Sequence, residues 1–78
     1  MKVYNVIIEE DSNRNGIFTD AKVFKNKTLA KEFINEQVNV WKENRDEQDI
    51  EIEEEPDNIY AQDYNNDYIY MVIKEQTL

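Results

Sequence analysis

From Lys2 to Glu10 the chain reads KVYNVIIEE, rich in β-branched residues, with Val3 and Ile7 on one face of an extended chain and Tyr4, Val6 and Ile8 on the other. Apolar groups on both faces predict an interior strand. The next six residues, Asp11 to Gly16 (DSNRNG), are dense in turn formers, and Ile17 to Phe24 resumes a strand-like pattern. Together the two runs predict a β-hairpin.

The period then changes from two to 3.6. From about Lys27 to Arg45, entered through Asn26 or Thr28 as N-cap, Leu29, Ala30, Phe33, Ile34, Val38, Val40 and Trp41 fall on one half of a helical wheel. Lys31, Glu32, Asn35, Glu36, Asn39, Lys42 and Glu43 fill the other half. So clean a partition predicts an amphipathic helix packed on a sheet. Trp41 could anchor a partner, but on the apolar stripe of a helix it reads first as core.

After a polar stretch, Asp49 to Glu53 alternates strictly, directing Ile50 and Ile52 inward and Asp49, Glu51 and Glu53 outward. Pro56-Asp57-Asn58 turns, Ile59 to Tyr64 returns, Asn65-Asn66-Asp67 turns again, and Tyr68 to Lys74 forms a last strand. The expected fold is α+β: one amphipathic helix on a mostly antiparallel sheet, in the order ββαβββ. No repeat, linker or low-complexity tract divides the chain, so residues 1–78 are expected to form a single acidic domain.

Composition narrows what such a domain does. Eighteen acidic residues against nine basic ones leave a net charge of −9. That balance disfavours direct binding to nucleic acid or to anionic membranes, because a phosphate backbone needs clustered Lys and Arg to displace its counterions. With 40% apolar residues, one Gly and one Pro, the chain nevertheless has the make-up of a folded domain. The lack of cysteine fits a reducing compartment, and the opening apolar run is far too short for a membrane span, which together point to the cytoplasm.

The same composition argues against catalysis. Without His or Cys the usual acid–base group, thiol nucleophile and metal ligands are missing, and a single glycine cannot build a phosphate-cradling loop. No enzyme, cofactor or metal site is expected. One motif stands against that expectation: Asp11-Ser12-Asn13-Arg14-Asn15-Gly16 fits the first half of an EF-hand loop. Its second half fails, since the closing position is Lys22 where a bidentate Glu belongs. A polar hairpin turn is the simpler reading.

Two features remain as candidates for partner binding. Between Asp46 and Asp57 lie Asp46, Glu47, Asp49, Glu51, Glu53, Glu54, Glu55 and Asp57, with no basic residue among them. Alternate strand residues stand about 6.6 Å apart, so Asp49, Glu51 and Glu53 would form a regular row of anions able to imitate a nucleic-acid backbone. Self-repulsion in a thinly cored domain favours a use for that charge beyond solubility. The second feature is Tyr60, Tyr64, Tyr68 and Tyr70, interleaved with Asp57, Asp63 and Asp67 in the C-terminal hairpin. Tyr60 is expected to share a face with Gln62 and Tyr64, and Tyr68 and Tyr70 with Val72. Such a face forms either a contact patch or a cross-strand ladder.

The opening Lys-Val-Tyr-Asn-Val-Ile-Ile strand, the helix introduced by Val-Phe-Lys-Asn-Lys-Thr-Leu-Ala-Lys-Glu-Phe-Ile and the acidic hairpins together resemble the small phage and mobile-element proteins that include anti-CRISPR inhibitors. The resemblance implies a non-catalytic inhibitor in the cytoplasm of a host bacterium. Its partner would be the basic nucleic-acid-binding cleft of a CRISPR effector or another defence nuclease, blocked by acidic DNA mimicry. The alternatives are a housekeeping interaction domain whose acidity only confers solubility, and a weak calcium-binding module. Oligomeric state is left open, a dimer included.

Overall fold

The computed structural model describes residues 1–12, 16–43 and 45–78. Five strands and one helix follow the order ββαβββ: β1 (Lys2–Ser12), β2 (Gly16–Phe24), α1 (Lys27–Lys42), β3 (Ile50–Glu55), β4 (Asn58–Asp63) and β5 (Tyr68–Thr77). All four pairings are antiparallel, and the strands lie side by side as β2-β1-β5-β4-β3. The fold is therefore α+β, with the helix on one face of the sheet. Among the described residues no helix is long and apolar enough to cross a membrane.

Strand β1 is interior, as its two apolar faces require, with β2 on one side and β5 on the other. The hairpin between β1 and β2 is closed tightly: Ser12 already pairs with Gly16, which takes a φ of +80° that glycine adopts without steric cost. Of the calcium-like loop, Asn13, Arg14 and Asn15 lie outside the described residues. Its two ends belong to strands, whereas an EF-hand needs helices there.

Asn26 caps α1 by accepting a hydrogen bond from the Leu29 amide at 2.9 Å. Ala30, Ile34, Val38 and Trp41 form the buried stripe of the helix. They meet Val6 and Ile8 of β1, Ile59 and Ala61 of β4, and Ile69, Met71 and Ile73 of β5 in one core. Leu29 and Val40, expected on the apolar half, are exposed instead. They sit about 120° or more around the wheel from the middle of the stripe, beyond the arc that a sheet can cover. Phe33 lies at the rim, its ring 5.3 Å from that of Phe24.

The helix ends at Lys42, earlier than the sequence pattern extends, and Arg45 turns back toward the β4–β5 turn. Asp49 also departs from expectation. It belongs to a short 3-10 turn, Glu47–Asp49, capped by the Asp46 side chain on the Gln48 amide, so β3 begins at Ile50. Tyr64 likewise stands in the turn after β4, which ends at Asp63.

Candidate functional site

Pairing register decides which side chains share the face that α1 leaves uncovered. Directly opposed residues in adjacent strands point the same way. One row across the sheet therefore reads Thr19, Glu9, Tyr70, Tyr60 and Glu53 from β2 to β3, and the next reads Ile17, Asp11, Tyr68, Gln62 and Glu51. A third runs Ala21, Ile7, Val72, Asn58 and Glu55. The strand alternation thus gathers Tyr60, Tyr68 and Tyr70 into one cluster with Ile7 and Val72 beside it. Carboxylates border the cluster on both sides.

Local contacts hold the cluster in place. The rings of Tyr60 and Tyr68 stack with centroids 5.6 Å apart and planes inclined by 25°. The Tyr68 hydroxyl donates to Glu9 Oε2 at 3.0 Å, and the Tyr60 hydroxyl donates to Gln62 Oε1 at 3.3 Å. Hydrogen bonding to the Glu9 carboxylate raises the Tyr68 phenol above its ordinary value, so it stays a neutral donor at physiological pH.

The two acidic borders differ in origin. Glu51, Glu53 and Glu55 occupy alternate positions of β3, an edge strand, and all three are exposed. Glu9 and Asp11 come from β1, an interior strand. Three strand spacings separate the borders, a gap of about 14 Å floored by tyrosine. Lys74 is the one basic side chain that register places on this face among the described residues, whereas Lys27, Lys31 and Lys42 ride on the helix side. The helix layer is mixed in sign, since α1 carries Glu32 and Glu36 beside those lysines.

Other acidic candidates fall elsewhere. Asp46, Glu47 and Asp49 cluster at the 3-10 turn, exposed and off the sheet. Glu54 points to the helix side, at the mouth of an open cleft of about 370 Å³ between α1 and the β3–β4 turn. Asp57 is paired with Lys27 at 2.6 Å. Tyr64 is 79% exposed but belongs to a turn, apart from the stacked tyrosines.

Asp63 and Asp67 are turned inward. Asp63 Oδ1 accepts from the Asn65 and Asp67 amides at 2.8 and 3.0 Å, its Oδ2 accepts from Arg45 Nε at 2.9 Å, and its side chain is 8% exposed. Asp67 accepts from Arg45 at 3.3 Å. Their chemistry is that of a turn clamp, which leaves little of either carboxylate to offer a partner. Glu9 and Asp11 were the residues that sequence reasoning passed over. Their signal was phase: both share the odd-numbered alternation of Val3 and Ile7.

Among the described residues no group of three or more side chains is placed to hold a metal ion. Comparison with family models, with curated proteins and with solved structures finds no match for the chain.

Proposed function

We propose that this chain is a non-catalytic binding protein that occupies the basic nucleic-acid-binding surface of a nuclease, the class that includes CRISPR effectors and other defence nucleases. The observation that carries the reading is the open sheet face, where two lines of carboxylates flank a floor of tyrosines. A duplex presents phosphates on either side of a groove about 12 Å wide. Lys and Arg side chains arranged to reach those phosphates would meet Glu9 and Asp11 on one side of the tyrosines and Glu51, Glu53 and Glu55 on the other. The tyrosines add area and cation–π partners for Arg at low entropic cost. Inhibition follows by exclusion, since one basic surface cannot hold the face and the nucleic acid together.

Acidity for solubility and edge protection is the competing reading, and β3 favours it in part. Charged side chains on an edge strand discourage addition of a further strand. That explanation does not reach Glu9 and Asp11, because β1 is interior and has no edge to guard. Competition distinguishes the two. A labelled duplex bound to a candidate effector is titrated with the protein while fluorescence anisotropy is followed. Stoichiometric displacement that weakens with added salt supports the proposal. A duplex that stays bound at tenfold excess, across a panel of such effectors, removes it.

A further inference from the structure

The two edges of the sheet are built differently. Edge strand β3 is six residues long and carries Glu51, Glu53, Glu54 and Glu55, a density of like charge that repels an incoming strand. Edge strand β2 is nine residues long, exposed from Gly16 to Val23, and carries only Asp20 and Lys22 as charges. Ile17 and Val23 are 67% and 64% exposed on the tyrosine side of this strand, and Phe18 is 58% exposed on the helix side. In a chain of net charge −9 this is a neutral, apolar edge with no strand of the chain beyond it among the described residues.

One hydrogen bond shows which backbone groups face outward. The Ala21 amide donates to the Asp20 side chain at 2.8 Å, so it is turned to the free edge and capped by its neighbour's carboxylate. In an antiparallel ladder the outward-facing residues alternate. Ile17, Thr19, Ala21 and Val23 therefore present their amides and carbonyls at the edge.

We propose that β2 pairs antiparallel with β2 of a second copy of this chain, about a two-fold axis through Ala21. Outward-facing residues must oppose one another, so the symmetric registers near the middle of the strand have their axes at Thr19, Asp20, Ala21 or Lys22. An axis at Thr19 sets Asp20 opposite Phe18 and Lys22 opposite Gly16, which leaves both charges without a counter-charge. An axis at Asp20 puts Asp20 against its own copy, and an axis at Lys22 puts Lys22 against its own copy. Like charges directly opposite destabilise a ladder. The axis at Ala21 sets Asp20 opposite Lys22 of the second copy and Lys22 opposite its Asp20, in the closer pairs that lack backbone hydrogen bonds. The Ala21 amide then exchanges its Asp20 cap for the Ala21 carbonyl of the second copy and so frees that carboxylate for Lys22. The same axis also sets Phe18, which α1 does not cover, opposite Phe24 of the second copy. Self-complementarity of this kind is what an isologous interface requires. Both helices then lie on one side of a continuous sheet, and both tyrosine faces on the other.

Charge reversal and re-pairing test the register directly. Sedimentation is measured from about 1 µM to about 1 mM for the parent, for Asp20→Lys, for Lys22→Asp and for the double exchange D20K/K22D, with circular dichroism as a check that each variant is folded. The parent is expected to dimerise within that range. Each single variant places like charges opposite one another and should weaken association at least tenfold, and the double exchange should restore it. A third variant, Ala21→Pro, removes an outward amide without taking a hydrogen bond from the β1–β2 ladder, and should also yield a folded monomer. A parent that remains monomeric to 1 mM overturns the proposal, as does a double exchange no better than the single variants.

Discussion

Arg45 Nε donates to Asp63 Oδ2 at 2.9 Å, joining the segment after α1 to the end of β4 across 18 residues of sequence. The same guanidinium donates to the Trp41 carbonyl at 2.6 Å and to Asp67 at 3.3 Å, and it lies 4.1 Å from the centre of the Trp41 ring. One side chain thus ends the helix, covers its buried Trp and holds the β4–β5 turn, where Asn66 takes a left-handed φ of 68°.

Replacing Arg45 by Ala strands the mostly buried Asp63 carboxylate without its cation. Removing one partner of such a pair costs about 2–4 kcal/mol, since the remaining charge keeps its desolvation penalty. For a domain of this size the midpoint of thermal unfolding is expected to fall by about 10–20 °C. A melt within two or three degrees of the parent would show the clamp to be incidental.

Core substitutions should follow burial more than residue size. Met71 is completely buried in the centre of the sheet, whereas Phe33 sits at the rim between Phe24 and Lys22. Met71→Ala is expected to cost about 2–5 kcal/mol, a large share of the stability of so small a domain. Phe33→Ala should cost less, because its ring has solvent on one side and leaves a smaller cavity. Urea unfolding of the two variants checks the order, and a Phe33 variant less stable than the Met71 variant would reverse it.

The strands and the helix were legible in the sequence because their apolar residues keep strict periods. Strand order was not, because nothing local to Tyr68–Thr77 reveals that this last strand sits in the middle of the sheet, between β1 and β4. The candidate site shows the same division. Alternation placed Glu51 and Glu53 outward and put Tyr68 and Tyr70 on one face. It could not bring Glu9 to Tyr68, 59 residues away, or show that Arg45 claims Asp63 and Asp67. Asp49 was misplaced for a local reason: the Asp46 side chain caps a 3-10 turn there, and that competes with extension.

The Lys27–Asp57 pair, 2.6 Å apart, ties the start of α1 to the β3–β4 turn. Its hydrogen bond raises Lys27 above the ordinary 10.5 and lowers Asp57 below the ordinary 3.8. A lowered carboxyl stabilises the fold above its unfolded value and loses that contribution as pH falls through the folded one. A raised ammonium does the reverse on the alkaline side. The melting difference between the parent and Asp57→Asn should therefore be flat from about pH 5 to about pH 9 and shrink outside that window. An undiminished difference at about pH 2 would exclude the ion pair as its source.

Reversing Glu51, Glu53 and Glu55 to Lys separates the proposed function from the fold. Each reversal adds two charges, so three of them take the net charge from −9 to −3. All three side chains are exposed on edge strand β3, and among the described residues none of them has a salt bridge to lose. Glu55 accepts a side-chain hydrogen bond from Asn58 at 3.2 Å, on the surface where water can replace it. Stability should change by no more than about 0.5 kcal/mol per site, and relief of like-charge repulsion offsets part of any loss. Binding is expected to respond otherwise. Ammonium groups opposite a basic surface cost several kcal/mol at an interface, which is a loss of at least about 100-fold in affinity. Tyr60→Ala and Tyr70→Ala, made separately, should weaken binding mainly by speeding dissociation, with little change in salt dependence. Isothermal titration against a responsive nuclease at two salt concentrations, with circular dichroism of each variant, reads both effects. If the triple variant binds as tightly as the parent while the tyrosine variants do not, the β3 carboxylates guard an edge and the tyrosine floor alone makes the contact.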